Sequence, residues 1–491
     1  MKGLTLPLAL LAATLVAPRS EARQLGELSF EKCELPVVGI RPSNPVNAEC
    51  TTLKVPEAPD GQGGRQIELA IALVPSRSPK PLPDPVFILA GGPGQAAREV
   101  WRGMAGSFRE VLAERNVILL DQRGTGASNR LDCPLPTDSD PLAVDVDTAL
   151  AAQLARDCVA NVRDTHDVRW YSTEDAALDL DRVRAAIGAE QVNLVGVSYG
   201  TRMGQIYAKR YPARVRTLLL DSAVPNELML GSEHAINLED TLKRQLDRCK
   251  DDAECGKRFG DPYATLKSLA EQLRAQPRMV AARDPRTGET AGRPLSANTL
   301  AVVARMYMYS GETAALLPLI LAEAQAGRFE PLMSQGAMMS DDLGSQIANG
   351  MQWSVMCAED VPGFTPRPQD DGLMLRQDLV SMAIAWCSAW PTREIPADFH
   401  APMSGDTPVL VMSGEFDPVT PPRYGDQVVK NLPNGRHLIV PGQGHSVLGR
   451  GCGPKLLTQF VKTADAKKLD AECLKQQSPA PFFLNFSGSA P

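Results

Sequence analysis

The motif Gly196-Val-Ser198-Tyr-Gly200 constrains the fold of this chain more than any other feature of the sequence. It stands between an apolar, strand-like stretch at 192–195 and a helix-like stretch at 201–211. Glycines two residues before and after a serine permit a sharp turn from strand to helix, which strains the serine and exposes its hydroxyl. The motif therefore predicts a nucleophile elbow at Ser198, although a structural glycine-rich turn has the same short pattern.

Strand-like apolar runs recur in both the first and the last part of the chain and alternate with helical patterns. They cover residues 67–74, 86–90, 117–121, 215–221, 408–413 and 437–440. This alternation predicts an α/β fold with a mostly parallel sheet flanked by helices. Ser172 and Asp175 add a predicted capping box at the start of a helix that ends at Gly188.

Residues 226–400 have a different pattern, with helical segments and few strand-like runs. A chain of 491 residues is also longer than a single core of about 250–300 residues. The sequence therefore predicts an α/β core in two parts, 23–225 and 401–491, with a large helical cap at 226–400 inserted between them. The end of the chain after Gln477 is expected to be a loose tail.

The first 22 residues are typical of a secretory signal peptide. Lys2 precedes an apolar run from Leu4 to Val16, and small residues follow at cleavage spacing. The run is too short to span a bilayer comfortably, so an uncleaved anchor is the weaker alternative. We expect a mature chain from Arg23 that is exported to a periplasm or to the medium, without stable insertion in a membrane.

The chain has ten cysteines, and an even count in an exported protein indicates disulfides. Pairing each cysteine with its neighbour is one possibility among many. That pairing joins Cys33 to Cys50, Cys133 to Cys158, Cys249 to Cys255, Cys357 to Cys387 and Cys452 to Cys473.

Cysteine spacing and net charge argue against several function classes. The sequence has no CxxC or Cys/His cluster with zinc spacing, so we predict no metal site. A net charge of -7 provides no basic patch for nucleic acid. No cofactor is implied, and the oligomeric state stays open.

Activation of Ser198 requires a base within hydrogen-bond reach and a third group that orients the base. His445 lies just after the last predicted core strand, in a glycine-containing loop that can carry the imidazole over the elbow. We therefore predict that His445 is the base. The other histidines are expected to be surface or structural residues: His166, His234, His400 and His437.

In enzymes with such an elbow, the orienting acid follows the serine and precedes the histidine along the chain. Asp417 has this position and directly follows the strand-like run at 408–413, where parallel sheets place their sites. Glu415 and Asp221 are rivals for the role. We predict Asp417 as the third member of the triad.

Two backbone N–H groups are expected to stabilise the oxyanion that forms when the serine attacks a carbonyl. One is the amide of Tyr199, directly after the nucleophile. The other belongs to the glycine-rich loop after an early strand, and the amide of Gly92 is our candidate. A plain tight turn is the alternative for that loop.

Five motifs together resemble those of the proline iminopeptidase and tripeptidyl aminopeptidase branch of the α/β-hydrolases. They are GGPG at 91–94, DQRGTGAS at 121–128, GVSYGT at 196–201, GEFDPVTPP at 414–422 and GQGHS at 442–446. The long insertion and the cysteines after His445 are similar to those of exported tripeptidyl-aminopeptidase-like members. The resemblance implies an α/β-hydrolase fold and a supporting DQRGTG loop in which Arg123 is structural. Ala90 stands where many relatives carry histidine. The missing side chain does not affect the backbone N–H donor at Gly92.

An aminopeptidase of this kind must recognise a free α-ammonium group, which needs acidic side chains at a fixed distance from the nucleophile. Glu359 and Asp360 in the predicted cap are our candidates, and a disulfide at Cys357 would hold them rigidly. An ordinary solvated acidic turn is the alternative.

The sequence thus predicts an exported serine hydrolase, an aminopeptidase that releases short N-terminal peptides or residues from a small peptide substrate. An esterase or other acyl hydrolase is the first alternative, because the same triad cleaves esters and amides. A non-catalytic binding protein on a hydrolase scaffold is the second, and the joint presence of triad and glycine loops argues against it. The residue preference and the number of residues released stay open.

Overall fold

A computed structural model describes residues 22–36, 46–61, 63–134, 147–283 and 288–489. The predicted signal peptide lies outside these residues, apart from Ala22. The described residues form twelve strands and fourteen α-helices.

Ten of the strands form one sheet, and two form a separate hairpin. In chain order the strands are β1 (Arg23–Leu25), β2 (Leu28–Leu35), β3 (Val46–Pro56), β4 (Gln66–Val74), β5 (Val86–Leu89), β6 (Val117–Leu120), β7 (Val192–Val197), β8 (Val215–Asp221), β9 (Arg278–Arg283), β10 (Thr290–Leu295), β11 (Val409–Gly414) and β12 (Gly435–Val440).

The large sheet has the order β1-β2-β3-β4-β6-β5-β7-β8-β11-β12. Strands β5, β6, β7, β8, β11 and β12 pair in parallel, whereas β1 to β4 and the β4–β6 pair are antiparallel. The central parallel strands are buried almost throughout, which explains their continuous apolar sequences. The predicted α/β fold with a mostly parallel sheet is confirmed.

Helices flank this sheet and form most of the segment between β8 and β11. They are α1 (Ala97–Met104), α2 (Thr148–Val162), α3 (Thr173–Ala186), α4 (Tyr199–Arg210), α5 (His234–Asp251), α6 (Ala253–Phe259), α7 (Pro262–Ala275), α8 (Ala297–Tyr307), α9 (Gly311–Gln325), α10 (Glu330–Ser345), α11 (Asn349–Glu359), α12 (Asp378–Cys387), α13 (Pro422–Val429) and α14 (Gly453–Thr463). The predicted capping box is present, with Ser172 and Asp175 each bonding the other's backbone N–H at the start of α3.

The segment between β8 and β11 contains α5 to α12 together with the β9–β10 hairpin, which the sequence pattern did not reveal. Its helices have an apolar core of their own, in which Leu242, Leu300 and Leu317 are fully buried. None of the helices in the described ranges is long and apolar enough to cross a bilayer.

Five disulfides connect cysteines that are neighbours in the sequence, as the simplest pairing predicted. They are Cys33–Cys50, Cys133–Cys158, Cys249–Cys255, Cys357–Cys387 and Cys452–Cys473. The expectation of a loose tail after Gln477 is wrong for its described part. Phe482 is buried beneath the guanidinium of Arg248, and the N–H of Phe483 donates to the carbonyl of Ala315 at 3.2 Å.

Candidate active site

Ser198 occupies the turn between β7 and α4, with φ 55° and ψ -123°. A positive φ is costly for a residue with a side chain, and such strain is typical of a nucleophile elbow. The flanking glycines make the turn possible. A Cβ atom at Gly196 would lie 2.4 Å from the carbonyl oxygen of Gly200, and one at Gly200 would lie 2.1 Å from that of Leu89. Glycine is therefore required at positions 196 and 200, because neighbouring backbone lies too close for any side chain.

The carboxylate of Asp417 contacts the imidazole of His445 just beyond the end of β11. Asp417 Oδ2 accepts from His445 Nδ1 at 2.8 Å and from Thr420 Oγ1 at 2.8 Å. Asp417 Oδ1 accepts the backbone N–H groups of Val419 and Thr420, each at 2.8 Å. Four donors thus hold this carboxylate in one orientation, and Thr420 is a contributor that the sequence analysis missed.

These contacts shift the pKa values of both groups. Burial alone would raise the pKa of Asp417, but His445 and the N–H donors outweigh burial and lower it. Burial alone would lower the pKa of His445, but the Asp417 carboxylate outweighs burial and raises it. Asp417 is therefore the ionised partner, and the imidazole becomes a stronger base.

The two rival acids hold the loop that carries His445. The oxygens of Asp221 accept the N–H groups of Val447 at 2.9 Å and Leu448 at 2.8 Å. Glu415 accepts the N–H of Gly442 at 2.8 Å. Both carboxylates thus have structural contacts around the loop, whereas Asp417 contacts the imidazole itself.

The glycine-rich loop after β5 lies beside Ser198. A Cβ atom at Gly91 would lie 3.2 Å from the Cβ of Ser198, and Gly92 has φ 106°. Tyr199 begins α4, where the first N–H groups of a helix have no intrahelical acceptor. The side chain of Tyr199 is buried behind the elbow, and its hydroxyl contacts Gln122 and Thr173. Gly92 and the Tyr199 amide therefore both lie next to the nucleophile.

Ser198, His445 and Gly92 line one cavity of about 440 Å³, which we call the catalytic cavity. Helices α5, α8, α11 and α12 provide the wall opposite the core loops, and most of that wall is apolar. His234 and Arg305 are its polar members from α5 and α8. The sequence analysis expected a surface or structural role for His234, and nothing in its local sequence pattern indicated this position in the cavity wall.

A second cavity of about 630 Å³ adjoins the first, with shared walls at Gln95, Val197 and Ser446. Glu99 of α1 lines this second cavity. Its Oε1 lies 3.8 Å from Nη1 of Arg130, and its Oε2 has no hydrogen-bond partner among the described residues. Burial raises the pKa of Glu99, and the nearby Arg130 opposes that rise. Glu99 thus places a half-satisfied carboxyl group in the wall of the cavity that adjoins the catalytic cavity.

Glu359 and Asp360 do not line either cavity, so their predicted role as ammonium ligands is corrected. Asp360 is fully buried and bonds Arg202 Nη1 at 2.7 Å. Glu359 accepts the N–H of Thr173 at 2.6 Å and its hydroxyl at 2.8 Å. Both carboxylates connect α11 to α3 and α4 in the interior, where a substrate has no access.

Arg123 of the DQRGTG loop is structural, as the resemblance implied. Its guanidinium is fully buried and forms two bonds with Asp179, at 2.7 and 2.9 Å. Within the described ranges, His, Cys, Asp and Glu side chains form no group of three or more that could hold a metal ion.

Comparisons with known proteins identify the family of the chain. A family profile described as alpha/beta hydrolase fold matches residues 84–450. Serine protease Hip1 of Mycobacterium tuberculosis is 26% identical over 466 residues, which cover 87% of this chain and 88% of the relative. Tripeptidyl aminopeptidase of Streptomyces coelicolor is 24% identical over 475 residues, which cover 89% and 85%. A probable proline iminopeptidase of the same organism is 32% identical over 136 residues, 28% of this chain and 32% of the relative.

Proposed function

The chain belongs to the alpha/beta hydrolase family, and on this premise we propose that it is an exported serine aminopeptidase acting on short peptides. The observation that carries the proposal is that His445, bonded to Asp417 behind it, lines the same cavity as Ser198 of the elbow. Two relatives that match over most of their length are named as a serine protease and a tripeptidyl aminopeptidase.

In the proposed mechanism His445 takes the proton of Ser198 as the serine attacks the substrate carbonyl. The amides of Gly92 and Tyr199 stabilise the oxyanion, because preformed donors strengthen as negative charge develops. His445 then gives the proton to the leaving amine. A water molecule activated by the same histidine hydrolyses the acyl-enzyme, while Asp417 holds the imidazole in the correct tautomer.

The proposed cap at 226–400 restricts substrates to chain ends. Side chains of α5, α8, α11 and α12 enclose the catalytic cavity opposite Ser198. A volume of about 440 Å³ is within the ordinary range for small-ligand sites. An extended loop of a folded protein would have to pass through both ends of this enclosure, so a free peptide end is the better fit.

We assign recognition of the α-ammonium group to Glu99 in place of the two buried cap acids. Its Oε2 lacks a partner among the described residues, and it lines the cavity that meets the catalytic cavity at Val197 and Ser446. An ammonium group bonded to a carboxylate contributes about 1.5–3 kcal/mol. A difference of this size is enough to favour free over blocked N-termini by about tenfold or more.

An esterase is the second candidate, because the wall of the catalytic cavity is mostly apolar and contains no carboxylate in the part of the chain that the structure describes. An apolar acyl ester would need no ammonium ligand. Export is supported for either activity by the predicted signal peptide and the five disulfides.

The test measures amine release from unblocked and N-acetylated mono-, di- and tripeptide substrates, with the mature protein beside Ser198→Ala. We expect Ser198-dependent turnover of the unblocked substrates only. Glu99→Gln should lower kcat/KM for them by about tenfold or more. Glu359→Gln is the matched control and should keep the preference for free N-termini. Hydrolysis of simple esters without any peptide turnover would instead establish the esterase.

A further inference from the structure

We propose that Arg305 binds a carboxylate on the leaving-group side of the substrate. The inference rests on the proposed peptidase function and deepens it, because it names the charge of the fragment that departs first. Arg305 lies on α8 and lines the catalytic cavity together with Ser198 and His445.

Arg305 lacks the counter-ion that other enclosed arginines of this protein have. The guanidinium groups of Arg123 and Arg202 are fully buried, and each bonds a buried carboxylate at 2.7 Å. Among the described residues no carboxylate pairs with Arg305, and its Nε is buried without a hydrogen-bond partner. An enclosed charge is costly unless it is paired, so a ligand carboxylate is the natural partner for this guanidinium.

No carboxylate in the described wall of the catalytic cavity replaces that partner. The described residues that line the catalytic cavity include no Asp or Glu. His234, on the same wall, has its pKa lowered well below the ordinary value, first by burial and then by Arg305. It is therefore neutral near pH 7. An unpaired guanidinium in this wall favours an anionic substrate group.

The position of Arg305 relative to His445 assigns the carboxylate to the departing fragment. Arg305 and His445 line the same cavity, where the positive charge of Arg305 acts to lower the pKa of His445. The ring of Tyr309, two residues beyond the end of α8, contacts the His445 ring edge-on at 5.3 Å between centroids. Since His445 protonates the leaving amine, groups next to it face the leaving fragment. The carboxylate is then either the C-terminus of a one-residue fragment or an acidic side chain on its first residue.

Three matched peptides separate these two sources. Each has the same unblocked acyl part, and the departing residue is an alanine acid, an alanine amide or an aspartate amide. We expect the wild-type kcat/KM for at least one carboxylate-bearing peptide to exceed that for the alanine amide by about tenfold, which is about 1.4 kcal/mol. Preference for the alanine acid identifies the C-terminal carboxylate, and preference for the aspartate amide identifies the side chain.

Two variants test whether Arg305 causes this preference. Arg305→Gln should abolish it, because kcat/KM falls about tenfold more for the carboxylate-bearing peptide than for the alanine amide, and Arg305→Lys should retain part of it. Arg244→Gln is the matched control, because Arg244 lies on α5 with its guanidinium over Phe416 and outside the catalytic cavity. Equal loss for acid and amide in Arg305→Gln would overturn the proposal, and so would a wild-type enzyme that does not distinguish them.

Binding to Ser198→Ala separates this inference from the proposed function. Calorimetry with the same three peptides needs no turnover. We expect Ser198→Ala to bind a carboxylate-bearing peptide about tenfold more tightly than the alanine amide. The double variant Ser198→Ala/Arg305→Gln should bind both equally. This pair of results would support the inference even if the wild-type enzyme cleaved none of the peptides. Equal affinity for all three peptides would overturn it, whatever the wild-type enzyme cleaves.

Discussion

Replacing Asp417 with asparagine is a sharp test of the site, because every contact of this carboxylate comes from a donor. Oδ1 accepts the backbone N–H groups of Val419 and Thr420, and Oδ2 accepts from His445 Nδ1 and the Thr420 hydroxyl. An asparagine NH2 group cannot face the two backbone donors without losing both hydrogen bonds. It must therefore point toward His445.

In that orientation the asparagine donates to His445 Nδ1, so the proton of the neutral imidazole moves to Nε2. An imidazole protonated on Nε2 cannot accept the serine proton, and the imidazolium that forms during reaction loses its carboxylate partner. We expect kcat/KM to fall by about 10³–10⁴-fold, or about 4–5.5 kcal/mol of transition-state stabilisation.

The assay is release of amine from the best unblocked peptide, with Ser198→Ala as the floor and circular dichroism as the check on folding. Asp417→Ala is the matched variant, because it removes the carboxylate without fixing a tautomer. We expect the asparagine variant to be no more active than the alanine variant, although asparagine fills the space of aspartate. Retention of more than about a tenth of wild-type kcat/KM by Asp417→Asn would refute the assigned roles.

Two further predictions concern pH. Asp417 raises the pKa of His445 above the ordinary 6.5. Because the base must be unprotonated for activity, the acid limb of the kcat/KM profile against pH should have its midpoint above 6.5. A midpoint below 6.5 would contradict the assignment of His445 as the base. Burial raises the pKa of Glu359 to about 8. The folded state therefore holds this proton more tightly than the unfolded state does. As a result, the free energy of unfolding should fall as pH rises from 4.5 to about 8. Glu359→Gln should weaken this fall in the free energy of unfolding, which urea denaturation midpoints at pH 4.5 and pH 8 would measure. Identical pH dependence in the wild type and the variant would exclude the Glu359 carboxyl group as the source of the fall.

Local patterns predicted the elements that position the site. The elbow, the capping box at Ser172 and the buried parallel strands each depend on residues within a few positions of one another, and the structure contains all of them. The pairing of neighbouring cysteines is also local, since at most 30 residues separate the two partners of a disulfide. Short loops close at the lowest entropic cost, which favours such pairs.

The errors concern residues whose partners are distant in the chain. Glu359 bonds Thr173 across 186 residues, and Asp360 bonds Arg202 across 158 residues. No spacing rule identifies such contacts, so two carboxylates that looked like an exposed ligand pair are interior cross-links. The position of His234 in the cavity wall and the packing of the chain after Gln477 also depend on partners distant in the chain, so local patterns did not reveal them.

The sequence by itself predicted the elbow at Ser198, the order of the candidate serine, acid and histidine along the chain, and the fold class, because strand, turn and helix patterns are short-range. Tertiary structure separated the predicted acid from its rivals: Asp417, Asp221 and Glu415 all lie at or just beyond strand ends of the same sheet, and Asp417 contacts His445 while the other two bond backbone N–H groups of its loop. It also decided which charges face the substrate. Helices α5, α8, α11 and α12 pack over the sheet and bring Arg305 into the catalytic cavity, while Glu359 and Asp360 are turned into the interior.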